Sequence, residues 1–131
     1  MKKLFIIFLI VTSSIASKAQ TSFSCYYRDF CLWNETSEQF DICTGYAENS
    51  LFVVNNDETM FTHTTDILKS TYYVTEREYD EDKEIWIFTV VSDVGNKYLF
   101  IFDPKNKQIR TLFVYESGDP VLIVFSVKSI F

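Results

Sequence analysis

The single histidine, His63, is the side chain of this 131-residue sequence best suited to proton transfer near neutral pH. It lies in the segment Thr62-His63-Thr64-Thr65, whose β-branched residues favour a strand. A catalytic histidine needs a nucleophile or an acid within hydrogen-bonding reach, and the sequence spacing places none. A metal site would need further nitrogen or sulfur ligands. We therefore expect His63 to be a structural strand residue, held by neighbouring hydroxyls.

An acidic stretch between Glu76 and Glu84 is the strongest charge cluster in the chain. Calcium takes about six to eight oxygen ligands, and Asp80, Asp82 and Glu84 stand at alternate positions. However, the stretch is short, lacks the glycine of an EF-hand loop and contains Lys83. Nothing in the spacing selects a carboxylate pair for glycoside hydrolysis. We predict a solvated hairpin turn here, and we assign no catalytic residue, metal site or cofactor to the chain.

The three cysteines allow at most one disulfide within the chain. If residues 24–33 form a strand, Cys25 and Cys31 are about 20 Å apart at roughly 3.4 Å per residue. That distance is too long, because bridged Cα atoms lie within about 7 Å of each other. If residues 24–33 and 39–47 form a hairpin, Cys31 and Cys43 lie directly opposite each other. We predict a Cys31–Cys43 disulfide, with Cys25 left as a small buried side chain.

The first 19 residues have the pattern of a secretory signal peptide. Residues 1–3 are positively charged, residues 4–11 are apolar, and Ser17 and Ala19 are small residues that precede a cut before Gln20. A membrane span needs about 20 apolar residues, and charged residues interrupt every long apolar run after this one. We predict a cleaved signal peptide, export to the periplasm or the extracellular space, and no membrane span.

Residues 20–131 are predicted to form one domain, since their length suits a single core. Lys2, Lys3 and Lys18 belong to the predicted signal, so nine basic and 18 acidic residues remain, for a formal net charge of −9. A nucleic-acid binder needs a basic footprint, which this charge excludes. The aromatic content of 18% excludes a disordered chain.

Short apolar runs separated by polar turns about every ten residues are typical of an antiparallel all-β domain. The last four runs are joined by tight turns that contain Gly95, Pro104 and Gly118. Residues 66–69 fit one helical turn, and no segment keeps a helical apolar period over eleven residues. We predict a meander of eight to nine antiparallel strands.

Strict alternation of apolar and polar residues fails in the C-terminal half of the chain. A sheet wetted on one side should alternate, yet large apolar residues occupy both faces of the strands after Glu84. A covering layer, an interior ligand cavity and a surface for a protein partner or a second copy would each explain them. The candidate surface for a ligand or partner consists of Trp86, Phe88, Tyr98, Phe100 and Phe102.

The pattern of turns and strands resembles the small lipocalin-like barrels of exported bacterial proteins, over the C-terminal two thirds of the chain. The resemblance implies a closed antiparallel barrel, and consecutive short hairpins favour it over the alternative, a two-sheet β-sandwich. We expect a non-enzymatic exported domain that binds a protein partner or a small apolar molecule. The alternatives are a small exported hydrolase that uses acidic residues and a structural envelope protein without a ligand.

Overall fold

The computed structural model describes residues 20–131, so the predicted signal peptide lies outside the described residues. The described chain forms eight strands and no helix. The strands are β1 (Thr21–Asn34), β2 (Gln39–Val54), β3 (Met60–Thr64), β4 (Lys69–Asp80), β5 (Ile85–Ser92), β6 (Lys97–Asp103), β7 (Gln108–Val114) and β8 (Pro120–Ile130). Within these residues, no helix is long and apolar enough to cross a membrane.

Each strand pairs antiparallel with the next one along the chain, and β8 pairs with β1 to close a barrel. This confirms the predicted lipocalin-like barrel and excludes the sandwich. Closure gives both β1 and β8 a second neighbour, which removes the edges that an open sheet of such apolar strands would expose. Eight strands enclose an interior just wide enough for packed side chains or one small ligand.

Short turns make this meander, and most contain one residue with a left-handed backbone. Gly95 and Gly118 have φ angles of 87° and 91°, which confirms the turns predicted around them. Residues 66–69 do not form the expected helical turn. Residues 66–68 belong to the β3–β4 connection and Lys69 begins β4; the backbone N–H of Leu68 donates to Thr65 Oγ1 at 3.1 Å. Because four residues link two paired strands here, hairpin geometry overrides the local helical preference.

The interior is filled by apolar side chains from all eight strands. Phe52 and Phe61 are fully buried, and we call them, with Phe100 and Phe102, the central rings. The ring centroid of Phe61 lies 4.9 Å from that of Phe100 and 5.2 Å from that of Phe102. Aromatic pairs at such distances contribute about 0.5–1.5 kcal/mol each beyond area burial. The central rings therefore form one connected aromatic cluster in the core.

The later strands carry apolar residues on both of their faces, as the sequence predicts. One face of each strand fills the interior, and the other lies on the outside of the barrel. Leu99, Leu112 and Leu122 are direct neighbours across β6, β7 and β8 on this outer face, and all three are half-buried. Interior and exterior therefore both use apolar residues, which is why alternation fails in the sequence.

The Cys31–Cys43 disulfide is present, as predicted, and links directly opposed residues of β1 and β2. The two Cα atoms are 4.1 Å apart. A structural disulfide indicates a location outside the cytoplasm, because cytoplasmic thiols are kept reduced. Cys25 is free and buried. Burial raises the pKa of its thiol to about 11, so the reactive thiolate is scarce at neutral pH.

The two ends of the barrel differ because β3 is short. We call the end with the β1–β2, β3–β4, β5–β6 and β7–β8 turns the upper end, and the opposite end the lower end. β3 has five residues, whereas β2 has 16. Only Leu51–Val54 of β2 pair with β3, so residues 39–47 pair with β1 alone. The barrel wall is therefore lower beside β3 at the upper end.

Candidate functional site

The five aromatic residues predicted to form a ligand or partner surface all lie in the barrel interior. Phe88, Phe100 and Phe102 belong to the buried core, and Trp86 and Tyr98 pack against it. They do not form one site. Tyr98 and Phe100 line a cavity at the upper end, and the other three line a cavity at the lower end.

The upper cavity has a volume of about 240 Å³ and lies above the central rings. It is bounded by side chains from six strands and from the β3–β4 turn. Its lining residues are Arg28, His63, Thr65, Leu68, Ser70, Tyr72, Tyr98, Phe100, Thr111, Phe113, Ile123 and Phe125. Five of these twelve residues are Phe or Tyr, and five others have polar side chains. Such a lining is typical of small-molecule sites.

The polar groups of the upper cavity have unused hydrogen-bonding capacity. Among residues 20–131, four buried side-chain nitrogen or oxygen atoms lack a hydrogen-bond partner. Three of them, Arg28 Nε, His63 Nε2 and Thr111 Oγ1, belong to residues that line this one cavity. Buried polar groups are satisfied in roughly nine cases out of ten. Three such exceptions among the lining residues of one cavity are therefore unusual.

His63 is not held by neighbouring hydroxyls, so that expectation was wrong. Its ring stacks on Phe52 with centroids 4.0 Å apart and meets Phe125 edge-on at 5.0 Å. Adjacent residues on a strand point to opposite faces, so the hydroxyls of Thr62 and Thr64 face away from the ring. Burial, and then the charge of Arg28, lower the pKa of His63 to about 4. The imidazole is therefore neutral at pH 7.

Arg28 comes from β1 and supplies the positive charge of the site. Its guanidinium carbon lies 5.5 Å from the ring centroid of Phe125 and 5.9 Å from that of Tyr46. Arg28 Nη1 donates to Glu48 Oε1 at 3.4 Å, while Nε has no partner. Glu48 does not line the cavity. The twelve lining residues thus contain one cationic side chain and no carboxylate.

Arg28 faces inward because β1 contains a bulge. Phe23 and Cys25 point into the core, and an unbroken alternation would send Arg28 outward. The register shifts between Cys25 and Tyr27, so Arg28, Phe30 and Leu32 face inward instead. A bulge re-aims the side chains that follow it. Sequence reasoning missed Arg28 for this reason. The available signal was the pair of charged residues Arg28 and Asp29 between the aromatic residues of β1.

Thr111 contributes the third unpartnered atom and was also missed from the sequence. It lies on β7 opposite Phe100 on one side and Ile123 on the other, and only 4% of its surface is exposed. Nearby, the rings of Tyr72 and Tyr98 meet edge-on at 5.6 Å. Burial raises the pKa of Tyr72, so its hydroxyl stays protonated at neutral pH. This end of the barrel therefore presents hydroxyl groups and rings to the cavity.

The last part of the acidic stretch, residues 81–84, forms the predicted β4–β5 turn, whereas Glu76, Glu78 and Asp80 lie in β4. Asp80 Oδ1 accepts hydrogen bonds from the backbone N–H groups of Asp82 at 3.0 Å and Lys83 at 3.2 Å. Within residues 20–131, no three His, Cys, Asp or Glu side chains are grouped to hold a metal ion. A catalytic acid usually needs a raised pKa. Hydrogen bonding instead lowers the pKa of Asp57, and hydrogen bonds that outweigh burial lower that of Asp103.

The lower cavity is similar in volume, about 260 Å³, and different in chemistry. Trp86, Phe88 and Phe102 form its aromatic wall. Its polar lining residues are Thr21, Asn55, Asn56 and Glu58, and the side chain of Asn55 bonds within the β2–β3 turn. The Asn55 side chain donates to Thr59 Oγ1 at 2.9 Å and accepts from two backbone N–H groups. No lining residue of this cavity has a buried polar atom without a partner.

Comparison of the chain with known protein families, curated proteins and solved structures gives no significant match. The geometry of the barrel and of its upper cavity must therefore carry the functional argument.

Proposed function

We propose that this chain is an exported, non-enzymatic binding protein whose barrel holds one small, largely apolar molecule in the upper cavity. The observation that carries the proposal is the set of three unpartnered atoms, Arg28 Nε, His63 Nε2 and Thr111 Oγ1, around one cavity. An unpaired buried polar group costs about 1–3 kcal/mol. A ligand that pairs with all three would recover that cost.

The size and lining of the cavity support a small ligand. Pockets for drug-sized molecules measure about 300–1,000 Å³, and the upper cavity lies just below that range at about 240 Å³. The aromatic residues predicted as a ligand or partner surface face inward. Their orientation supports an enclosed small molecule and gives no support to a protein partner at these residues.

The proposal also includes export of the protein from the cytoplasm. The charged start, apolar run and small residues of positions 1–19 favour cleavage after Ala19. The disulfide supports release into an oxidising compartment, either the periplasm or the extracellular space. N-terminal sequencing of the protein recovered outside the cytoplasm should begin at Gln20. Recovery of a chain that still begins at Met1 would contradict cleavage.

Binding can be tested with N-phenyl-1-naphthylamine, an uncharged probe that fluoresces in apolar surroundings. We expect one probe molecule per purified protein molecule. Ser70→Trp should abolish binding, because Ser70 lines the upper cavity and a bulky ring there fills it. The matched control, Thr21→Trp, places the same ring at the lower cavity and should leave binding intact. Absence of binding, or equal loss from both variants, would contradict the proposal.

A further inference from the structure

We infer that the ligand of the upper cavity is a small aromatic monocarboxylate, with its carboxylate bound by Arg28 and Thr111 and its ring held by the aromatic wall. This inference rests on the proposed function and adds a chemical class to it. Three properties of the cavity lead to it: the charge of the wall, the hydrogen-bonding character of the unpartnered atoms and the shape of the apolar surface.

The charge of the cavity wall is opposite to that of the protein. Residues 20–131 carry a net charge of −9, yet the lining contains Arg28 and no carboxylate. Charges interact more strongly away from water, and a partly buried cation favours an anionic partner. Glu48 accepts from Nη1 of Arg28 and leaves Nε unpaired. What remains for a ligand is the Nε–H donor of a guanidinium whose charge is shared with Glu48.

The unpartnered atoms suit a ligand group that accepts hydrogen bonds. The Nε–H of an arginine can only donate, and a threonine hydroxyl can donate to an anion. A neutral imidazole carries one N–H, so His63 donates from Nε2 in the tautomer that places the proton there. A carboxylate offers two oxygens that only accept, and its bonds to charged donors are about twice as strong as neutral ones. The charge of Arg28 would repel an ammonium group on a ligand, and no lining residue has a carboxylate to bind it.

The apolar part of the cavity suits a flat ring. Tyr72, Tyr98, Phe100, Phe113 and Phe125 surround it. Tyr98 packs edge-on against Tyr72 and Phe113, with centroids 5.6 and 5.3 Å apart. Edge-to-face packing is the arrangement that aromatic rings prefer. A ring inserted among these residues can make the same contacts that they make with each other.

The experiment compares three compounds that differ only in the polar group: 2-naphthoate, 2-naphthamide and 2-naphthylmethylamine. Calorimetric titration of the purified protein at pH 7 should give a dissociation constant for the carboxylate about 10- to 100-fold lower than for the amide, as a charge-assisted bond in a buried site predicts. The amine should bind weakest. Arg28→Gln should bring the carboxylate-to-amide ratio close to one.

A second variant keeps the inference testable if Arg28→Gln fails to fold. Glu48→Gln removes the anion that competes for Arg28, so the carboxylate should bind more tightly and the amide unchanged. A purely structural role of the Arg28–Glu48 pair would change the affinities of all three compounds alike. An amide or amine that equals the carboxylate, or a carboxylate affinity that does not rise in Glu48→Gln, would overturn the inference.

The same measurements separate this inference from the proposed function. If the uncharged naphthylamine probe binds and the carboxylate has no advantage, the upper cavity is a ligand site of another chemical class. If the probe binds and none of the three naphthalene compounds does, the aromatic carboxylate class is wrong. If neither the probe nor the carboxylate binds, both the proposed function and the inference fail.

Discussion

The two cavities at the ends of the barrel have nearly equal volumes, about 240 and 260 Å³, and opposite hydrogen-bonding chemistry. In the lower cavity, the side chain of Asn55 makes its hydrogen bonds to residues at the β2–β3 turn. In the upper cavity, Arg28, His63 and Thr111 each keep an atom without a partner. Both cavities have aromatic walls.

This difference shows that the volume of a cavity is a poor guide to a binding site. A cavity left by imperfect packing exposes apolar surface or polar groups already bonded elsewhere. A cavity shaped for a ligand carries polar groups whose partners must come from outside, at a cost to the stability of the unbound protein. Three lining residues of the upper cavity have an unpartnered atom, and no lining residue of the lower cavity does.

The largest expected effect comes from removing the layer between the two cavities. Phe61 is fully buried among the central rings, so Phe61→Ala should cost about 3–5 kcal/mol of unfolding free energy. The space it leaves should also let N-phenyl-1-naphthylamine reach the lower cavity, because Phe61 contacts both Phe88 and Phe100. Urea unfolding and probe stoichiometry measure the two effects. A stoichiometry that stays at one would show that the cavities remain separate.

Acid should destabilise the upper end before the lower end. The pKa of His63 falls from 6.5 to about 4 on folding, so between these values the unfolded chain binds a proton that the folded protein excludes. Stability should therefore fall as the pH drops from about 6.5 to 4, by about 3 kcal/mol in total. Urea unfolding at several pH values should show this slope, and His63→Leu should remove it.

The carboxylates of the lower end act in a different pH range. Folding lowers the pKa of Asp57 and Asp103 below 3.8. The stability that these groups contribute is complete above 3.8 and is lost as the pH falls through their lowered values. Loss between pH 6.5 and 4 that persists in His63→Leu would contradict the assignment of this range to the upper end.

The smallest expected effects have opposite signs at the two ends. Thr111→Val replaces an unpartnered buried hydroxyl with a methyl group, and we expect it to stabilise the protein by about 1 kcal/mol. Asn55→Ala removes three hydrogen bonds and should destabilise it by about 1–2 kcal/mol. Thermal unfolding measures both. Destabilisation by Thr111→Val would mean that its hydroxyl is already satisfied in the unbound protein.

The sequence predicts what local patterns determine. Turn residues such as Gly95 and Gly118 locate the later hairpins, and a hairpin of residues 24–33 with 39–47 pairs Cys31 with Cys43. These features need only strand periodicity and turn chemistry. Consecutive hairpins predict the order of the strands, and the pairing of β1 with β8 then closes the barrel.

The proposed binding site was harder to predict because the positions of its residues depend on distant strand pairing. Arg28 enters the cavity only because the bulge in β1 reverses the side-chain direction, and that bulge is set by the pairing of β1 with both β2 and β8. Thr111 resembles any polar residue of an amphipathic strand until the strands on both sides are known. His63 was noticed, but its surroundings come from β2 and β8 rather than from its own neighbours in sequence.

The short β3 strand has a consequence for hydrogen exchange. Residues 39–47 of β2 pair with β1 on one side and with no strand on the other. In an antiparallel ladder, successive backbone N–H groups point alternately to the two neighbours. Every second amide of this segment therefore faces open space and should exchange with deuterium rapidly, while its sequence neighbours are protected by β1 and the disulfide. A ligand that covers the upper end would slow the first set and leave the second unchanged.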